Sequence, residues 1–301
     1  MSATRQEPVR RRVLVVAYYF PPLGLSGVQR TLKFVKYLPH FGWDVTVLTV
    51  EERGYFAHDA SLLEELEGLP VHVIRTRSLD PLYMLRKRKK VAMPSRRSHR
   101  FLGYLGQFFF IPDNKIGWKK HAVRAARRVL AEQAHDLVFA TAPPFTDFLI
   151  ARDIKKHTGL PLVFDYRDPW LENPLHTYAT PLHRFLHHRL ELDALRYADH
   201  IVTINRRMKE LTLRTAPALS HHDVTILSQG FDPEDFASPP PPRKDARMRI
   251  THTGTFYIDR TPKFFLHGLK RYFEQHPSAR GTVLATFVGT TREEDQKIID
   301  E

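Results

Sequence analysis

The chain of 301 residues contains no cysteine, so disulfide bonds and thiolate metal sites are excluded. It also lacks any apolar run close to the roughly 20 residues that a membrane-spanning helix needs. The basic N-terminal segment is followed by an apolar run that continues directly into Pro21 and Pro22, which is not the pattern of a cleavable signal peptide. We therefore expect a cytoplasmic protein.

The usual signatures of dinucleotide and nucleic-acid binding are missing as well. The loop "YYFPPLGLSGVQR", residues 18–30, does not match the G-x-G-x-x-G pattern of dinucleotide-binding proteins. No G-x-x-x-x-G-K-[ST] loop, zinc-finger pattern or helix-turn-helix pattern occurs. We therefore expect neither a nicotinamide dinucleotide nor a nucleic acid as a partner.

Basic residues, by contrast, are plentiful. The chain has 46 lysines and arginines against 33 acidic residues, a formal net charge of +13. Such an excess by itself favours an anionic partner, whether a nucleic acid, an acidic lipid or a phosphorylated ligand. Hydrophobic residues make up 42% of the chain, which is typical of globular proteins, and the length allows about two domains.

Apolar runs and helical patterns alternate along most of the chain. Runs rich in Val, Ile and Leu predict strands at 12–18, 44–50, 70–76, 136–142, 161–167, 199–205 and 223–230. Helical spacing runs from Val28 to Leu38 and occurs again at 119–133, 147–159 and 181–198. The repeated order of strand and helix predicts an α/β fold, a parallel sheet with helices on both faces.

The composition changes near residue 230. Residues 1–12 form a basic tail, residues 13–230 a Rossmann-like N-terminal domain, and residues 231–247 a proline-rich linker. A second unit of strand, helix and strand occupies residues 248–301. Because two strands do not make a stable doubly wound sheet, we expect this unit to be the beginning of an incomplete second domain.

Segment 77–117 combines a dense basic block with apolar and aromatic residues. The basic block is Arg86, Lys87, Arg88, Lys89 and Lys90, and the apolar residues are Phe101, Leu102, Tyr104, Leu105 and 108–110. One interpretation is a flexible, solvated insertion. The other is a surface that binds anionic lipid head groups, with the aromatic side chains entering the interface. Lys120, Arg124 and Arg127, on one face of the next predicted helix, would extend that surface.

The loop after the first predicted strand is a candidate anion site. Ligands of parallel sheets bind beyond the carboxyl ends of the strands. Gly24, Ser26 and Gly27 lie there at a helix N-terminus, where free amide groups and the helix dipole favour an anion. Arg30, one turn into the helix, would add a bidentate donor for phosphate or carboxylate. The alternative is an ordinary tight turn.

Two other clusters have the residue types of a metal site. His183, His187 and Glu191 share one predicted helix face, but no further ligand motif accompanies them, so we favour a solvated face. Asp165 and Asp168 resemble a metal-binding acidic pair, although Asp165 at a strand end is as readily a structural hydrogen-bond acceptor. We expect no metal ion.

Six segments carry a resemblance to a known family: "YYFPPLGLSGVQR", "TAPPFTDFLIA", "PLVFDYRDPW", "ADHIVTIN", "ILSQGFDPEDF" and "ITHTGTFYIDRTPKFFLHGL". Together they resemble the family-4 glycosyltransferases of the GT-B fold, in particular the bacterial subgroup with a D-[FY]-R-D-P-W segment. The resemblance implies two Rossmann-like domains, an N-terminal one for the acceptor and a C-terminal one for a nucleotide-activated sugar. It also implies transfer that retains the anomeric configuration and needs no metal ion or other cofactor.

The resemblance also implies roles for individual residues. It places Ser26, Gly27 and Arg30 near the donor phosphates and the acceptor. It makes Asp168 the candidate for contacting the reacting sugar or the acceptor hydroxyl. Arg167 would orient Asp168 or bind an acceptor phosphate, and the alternative for this pair is a structural ion pair or the cap of a following helix.

In the second unit, Gly254, Thr255 and Arg260 match the donor-phosphate loop of the family. The family often has an arginine where this chain has Thr255, so one cation of the usual pair is missing. Gly230 takes the place of the hinge glycine. The E-x7-E donor motif of the family lies beyond residue 301, and we expect residues 1–301 alone to be inactive or very weak.

The resemblance therefore implies a cytoplasmic hexosyltransferase of cell-envelope polysaccharide synthesis. The basic block of segment 77–117 would recruit it to the inner face of the plasma membrane. The enzyme would move a sugar from a nucleotide-diphosphate sugar to a lipid-linked or polysaccharide acceptor. Two alternatives stay open. One is a non-catalytic binding or scaffold protein of the same architecture, and the other is a nucleotide-sugar epimerase.

Overall fold

The computed structural model of the chain describes residues 10–24, 26–55, 58–81, 108–173, 178–238, 246–256, 260–289, 291 and 293–300. Within this part the chain forms two compact units, the first ending at Asp232 and the second continuing from Pro233. No helix among the described residues combines the length and the apolarity needed to cross a membrane.

The first unit is built on a seven-stranded sheet. Its strands are β1 (Arg11–Val16), β2 (Trp43–Val50), β3 (Val71–Thr76), β4 (Leu137–Ala142), β5 (Leu162–Tyr166), β6 (His200–Thr203) and β7 (Val224–Ile226). They lie in the order β3-β2-β1-β4-β5-β6-β7, and every neighbouring pair is parallel. The seven strands that the sequence predicts are confirmed, each within a few residues of its expected bounds.

The described helices of the first unit are α1 (Ser26–Tyr37), α2 (Ser61–Glu64), α3 (Lys119–Glu132), α4 (Thr146–Thr158), α5 (Pro181–Leu195) and α6 (Arg206–Thr215). Helices α1, α3, α4 and α5 lie where the sequence predicts them. Helix α6 is absent from the sequence prediction, although Asn205 was a usable signal. Its side chain caps the helix by accepting a hydrogen bond from the Met208 amide at 2.9 Å.

Apolar side chains cover both faces of the sheet. On β1, Val13 and Val15 belong to one apolar cluster, whereas Leu14 and Val16 belong to the other. Successive side chains of a strand point to opposite faces, so the central strand is buried from both sides. The expected α/β arrangement, with helices on both faces, is confirmed.

The described part of the second unit is a pair of parallel strands with two helices. Strand β8 (Met248–Thr253) pairs with β9 (Val283–Val288), and α7 (Lys263–Gln275) connects them in sequence. Helix α8 (Glu293–Asp300) follows. Parallel strands need a crossover of this kind, and the order of strand, helix and strand agrees with the sequence prediction.

Candidate functional site

The strand order of the first unit places a crevice at the carboxyl edge of its sheet. Strand β1 has β2 on one side and β4 on the other. The connection after β1 leads to β2, and the connection after β4 leads to β5, so the two connections run in opposite directions along the sheet. Ligands of open α/β sheets bind beyond the carboxyl ends of the strands at such a point. In this protein two arginines join the loops that border the crevice.

Asp165, near the end of β5, is the centre of a buried polar network. Its carboxylate is inaccessible to solvent and accepts hydrogen bonds from Nε and Nη2 of Arg30, each 3.0 Å from Oδ1. The hydroxyl of Thr141 on β4 donates to Oδ2 at 2.9 Å. A buried carboxylate needs such partners, so Asp165 is a structural acceptor, one of the two interpretations that the sequence allows.

The guanidinium of Arg30 also reaches the chain just after β7. Nη2 donates to the carbonyl of Leu227 at 2.9 Å, and Nη1 donates to the carbonyl of Ser228 at 3.1 Å. Arg30 therefore connects α1 to β5 and to the exit of β7. Phosphate binding by Arg30 stays a prediction, and a phosphate would have to replace some of these carbonyl and carboxylate partners.

Arg167, directly after β5, ties the first loop to the loop after β4. Nη1 donates to the carbonyl of Gly27 at 2.6 Å, and Nη2 donates to the carbonyl of Pro143 at 2.9 Å. Nε lies 3.3 Å from the carbonyl oxygen of Ala142. Desolvation lowers the pKa of this guanidinium, and the negative charge of Asp165 opposes that effect. Arg167 thus connects the chain after β5 to the first turn of α1 and to the chain at the end of β4.

Asp168 is the exposed member of the "RDPW" segment. Within the described part of the chain, no hydrogen bond or ion pair engages its carboxylate. No helix begins among the described residues 168–173, so the alternative in which this segment caps a following helix is wrong. Contact of Asp168 with a sugar or an acceptor hydroxyl stays a prediction.

Trp170 anchors the other end of this segment. Its indole Nε1 donates to Nδ1 of His187 at 3.0 Å, and its amide donates to the hydroxyl of Tyr166 at 2.9 Å. The indole stacks on Phe145 with ring centroids 4.6 Å apart. The hydroxyl of Tyr178 donates to the carbonyl of Trp170 at 3.0 Å. The short stretch that carries Asp168 is therefore held at both ends.

The buried face of α5 corrects one interpretation of the sequence. His187 and Glu191 are 2% and 3% exposed, so the solvated face that the sequence favours is wrong for these two residues. Glu191 accepts a hydrogen bond from the hydroxyl of Tyr166, and desolvation raises the pKa of Glu191 to about 7. Both residues support the packing of Trp170 and Tyr166.

Sequence reasoning missed a second buried polar cluster, beneath the loop after β1. The amide of Tyr18 donates to the carboxylate of Asp147 at 2.8 Å, and its hydroxyl donates to Asp80 at 2.7 Å. Lys115 Nζ lies 3.4 Å from Asp80. Burial raises the pKa of Asp147 well above its ordinary value. The available signal was an aspartate inside the otherwise apolar stretch "TAPPFTDFLIA".

The remaining site residues that the sequence predicts in the first unit are Ser26, Gly27 and Gly230. Ser26 begins α1, and Gly27 follows it with its backbone exposed. Gly230 is exposed after β7. The basic block Arg86, Lys87, Arg88, Lys89 and Lys90 lies outside the described residues.

The candidates of the second unit follow β8. Gly254 has a φ of 143°, a conformation that favours glycine, and its amide donates to the carbonyl of Val288 at 2.8 Å. Thr255 comes next and is half-buried, and Arg260 is exposed. Their proposed contact with a donor diphosphate stays a prediction.

Residues 26–224 match the sequence profile of the glycosyl transferase 4-like domain. The chain belongs to this family. The glycosyl transferase 4-like match begins with α1 and ends in β7, so it contains Arg30, Asp165 and Arg167. The family expected from the six sequence segments is therefore confirmed. A comparison with curated proteins finds no match.

Solved structures with little sequence identity share the fold of this glycosyl transferase 4-like protein. One, described as trehalose-6-phosphate from E. coli bound with UDP-2-fluoro glucose, is 11% identical, with a TM-score of 0.56 over 96% of this chain and 68% of that chain. The N-terminal domain of Candida albicans trehalose-6-phosphate phosphatase is 14% identical, with a TM-score of 0.54 over 96% and 66%.

A third such structure is the UDP-forming alpha,alpha-trehalose-phosphate synthase from Burkholderia vietnamiensis. It is 12% identical, with a TM-score of 0.53 over 96% of this chain and 67% of that chain. The chain thus spans about two thirds of the length of the structures it matches. At such identities the likeness shows the fold alone, and that fold is the expected α/β GT-B type.

Proposed function

We propose that this protein transfers a hexose-type sugar from a nucleotide-diphosphate sugar to a lipid-linked or polysaccharide acceptor. The proposed transfer retains the anomeric configuration and uses no metal ion. One observation carries the proposal: the glycosyl transferase 4-like match coincides with the loops that Arg167 joins at the carboxyl edge of the sheet. Two structures of the same fold are described as UDP-forming or bound with UDP-2-fluoro glucose, which supports a nucleotide sugar as the donor.

Asp168 is the residue to which we assign contact with the reacting sugar or the acceptor hydroxyl. Its exposed carboxylate makes no hydrogen bond or ion pair in the described part of the chain, although its charge acts on the neighbouring Arg167. It is therefore available to accept a hydroxyl hydrogen bond or a proton. Arg167 and Trp170 hold the backbone on either side. Anchors of this kind reduce the entropy lost when a substrate is positioned.

The N-terminus of α1 is the part of the first unit to which we assign phosphate binding. The first amides of a helix lack intrahelical partners, and the helix dipole favours an anion there. The guanidinium of Arg167 is bonded to the Gly27 carbonyl and adds positive charge beside that end. An anion bound there leaves the pairing of Arg30 with Asp165 intact. Within the second unit, we assign donor-phosphate binding to Gly254, Thr255 and Arg260.

We place the reaction at the cytoplasmic face of a membrane, with the block from Arg86 to Lys90 binding anionic lipid. Exposed charge pairs are screened by salt, so binding through this block should weaken steeply as the salt concentration rises. Salt-independent binding would contradict this part of the proposal.

A transfer assay tests the proposed activity. The protein as its gene encodes it is incubated with UDP-, GDP- and ADP-sugars and a membrane lipid extract, and sugar incorporation into the extract is measured. We expect incorporation from one donor class, at a rate that EDTA leaves unchanged. Asp168→Asn should lower the rate by about 100-fold without moving the urea midpoint, because the side chain is exposed.

Glu67→Gln is the matched control, since Glu67 is an exposed carboxylate before the amino end of β3. Equal rates for Asp168→Asn and Glu67→Gln would remove the assignment of Asp168. Absence of incorporation from every donor would remove the proposed activity.

A non-catalytic binding protein is the second candidate function. It is favoured by the engagement of Arg30 and Arg167 with protein oxygens, which leaves fewer cations at the crevice for a leaving diphosphate. Calorimetric titration with the same nucleotide sugars separates the two candidates. Binding without turnover would support this second function, whereas turnover supports transfer.

A further inference from the structure

From Leu182 to Glu191, helix α5 buries two polar side chains and exposes three apolar ones. His187 and Glu191 are buried, whereas Leu182, Phe185 and Leu186 are 62%, 53% and 38% exposed. Spacings of three and four residues place these three apolar side chains on one strip of the helix. A surface helix ordinarily buries its apolar strip, so the exposed strip on α5 is a candidate contact surface.

Two aromatic residues extend this strip. Phe108 and Phe109 are exposed, and the ring of Phe108 lies 4.9 Å from the ring of His183 on α5. The carbonyl oxygen of Phe108 is 3.2 Å from Nε2 of His183. His183 follows Leu182, so the aromatic pair continues the apolar strip. We call the set the α5 apolar surface: Phe108, Phe109, Leu182, Phe185 and Leu186.

Basic side chains border the α5 apolar surface. Phe185 lines two neighbouring grooves, and the guanidinium of Arg189 lies 5.9 Å from the centroid of its ring. The basic residues that line these two grooves are Arg184, His188, Arg189, Arg196 and Arg214. Two acidic residues also line these grooves: Glu172 is ion-paired with Arg184 at 2.7 Å, and Asp193 with Arg152 at 2.5 Å. Arg189, Arg196 and Arg214 are therefore the lining arginines that these carboxylates do not neutralise.

We propose that the α5 apolar surface docks this protein on an anionic lipid membrane. Phe185 and its apolar neighbours enter the interface, and the bordering arginines bind lipid phosphate groups. Exposed apolar side chains flanked by basic ones are typical of interfacial helices. The formal net charge of +13 is complementary to the negative potential of an anionic leaflet. This contact is independent of the transfer reaction and of the block from Arg86 to Lys90.

Vesicle binding by the full chain tests the proposal. The probes are phosphatidylcholine vesicles with and without phosphatidylglycerol, and co-sedimentation measures the bound fraction. We expect binding to the vesicles that contain phosphatidylglycerol. The double variant Leu182→Ser, Phe185→Ser should weaken it by about tenfold or more. The double variant Arg189→Gln, Arg196→Gln should weaken it by about fivefold for each arginine.

Matched controls distinguish binding through the α5 apolar surface from non-specific hydrophobic adsorption and from the effect of net charge. Phe41→Ser removes a phenylalanine that is 77% exposed beyond α1, and the double variant Arg128→Gln, Arg206→Gln removes two exposed arginines on α3 and α6. Both controls should bind within about twofold of the parent chain. Thermal unfolding verifies that every variant is folded.

Several results would overturn the proposal. One is unchanged vesicle binding in the Leu182→Ser, Phe185→Ser variant. Another is a loss confined to variants of Arg86 to Lys90, which would assign membrane binding to that block alone. A third is a Leu182→Ser, Phe185→Ser variant that differs from the parent chain in oligomeric state, measured by size-exclusion chromatography, but not in vesicle binding. That result would assign the α5 apolar surface to contact with a second copy of the chain.

Discussion

Arg167 donates a hydrogen bond from Nη1 to the main-chain carbonyl of Gly27, 140 positions away in the sequence, at 2.6 Å. This bond joins the segment after β5 to the first turn of α1. A second bond, from Nη2 to Pro143 at 2.9 Å, adds the loop after β4. The planar guanidinium is suited to bonds in several fixed directions, so one residue holds the edge of the crevice together.

Replacing this guanidinium should therefore destabilise the first unit. Arg167→Lys keeps the charge, but a lysine amine cannot reproduce the fork of donors, and buried carbonyls would lose their partners. We expect the free energy of unfolding to fall by about 2 kcal/mol, measured by urea titration. Arg206→Lys, at an exposed arginine of α6, is the control and should leave the midpoint in place. Equal midpoints for both variants would contradict the role of Arg167.

The ion pair of Arg30 and Asp165 should behave as a coupled unit. Arg30→Met removes the arginine that donates two hydrogen bonds to the buried carboxylate and leaves only Arg167 as a cation among the described residues, with Nε 4.0 Å from Oδ2, so the expected loss of unfolding free energy is about 3–5 kcal/mol. Asp165→Asn alone should also destabilise. In the double variant the charges of Arg30 and Asp165 are removed together, so the two single effects should sum to more than the measured total. Additive effects in this double-mutant cycle would show that the pair is not coupled.

Glu191 should make stability depend on pH. Its pKa rises from an ordinary 4.5 to about 7 in the folded protein, so folding favours the protonated form. The stabilisation from this group is complete below pH 4.5 and is lost as the pH rises through 7. Glu191→Gln cannot ionise and should gain stability relative to the parent across this window, by about 3 kcal/mol.

Urea titrations at several pH values measure this difference. The control is Glu67→Gln, at an exposed carboxylate, and its difference from the parent should stay constant with pH. A constant difference for Glu191→Gln as well would show that Glu191 titrates normally in the folded protein.

Replacement by alanine should lower the stability of the protein at Gly117 but not at Gly230. A Cβ at Gly117 would lie 2.5 Å from the carbonyl carbon of Leu79 and 2.7 Å from the amide nitrogen of Asp80, whereas a Cβ at Gly230 would meet nothing within 4 Å. We expect Gly117→Ala to lower the unfolding free energy by about 1–3 kcal/mol and Gly230→Ala to have no effect on the urea midpoint. An unchanged midpoint for Gly117→Ala would mean that the backbone there yields easily.

The strands and the main helices could be predicted because their signals are local. Alternating or continuous apolar residues, and spacings of three and four, involve neighbours in the sequence. The "RDPW" segment likewise marked the edge of the sheet without any knowledge of its surroundings. Contacts between distant segments carry no such signal. Arg30, read as a free phosphate donor, is bonded to Asp165 across 135 positions, and His187 is turned towards Trp170.

The sequence by itself determined the parallel α/β unit, the family, and the loops that border the crevice. Only the tertiary structure decided which polar residues at that edge hold it together and which one is left exposed. Arg30, Asp165 and Arg167 are buried and paired with one another or with carbonyls, whereas Asp168 faces solvent. The physical reason is that a buried charge is tolerated only beside a partner, and packing of distant segments alone brings that partner within reach.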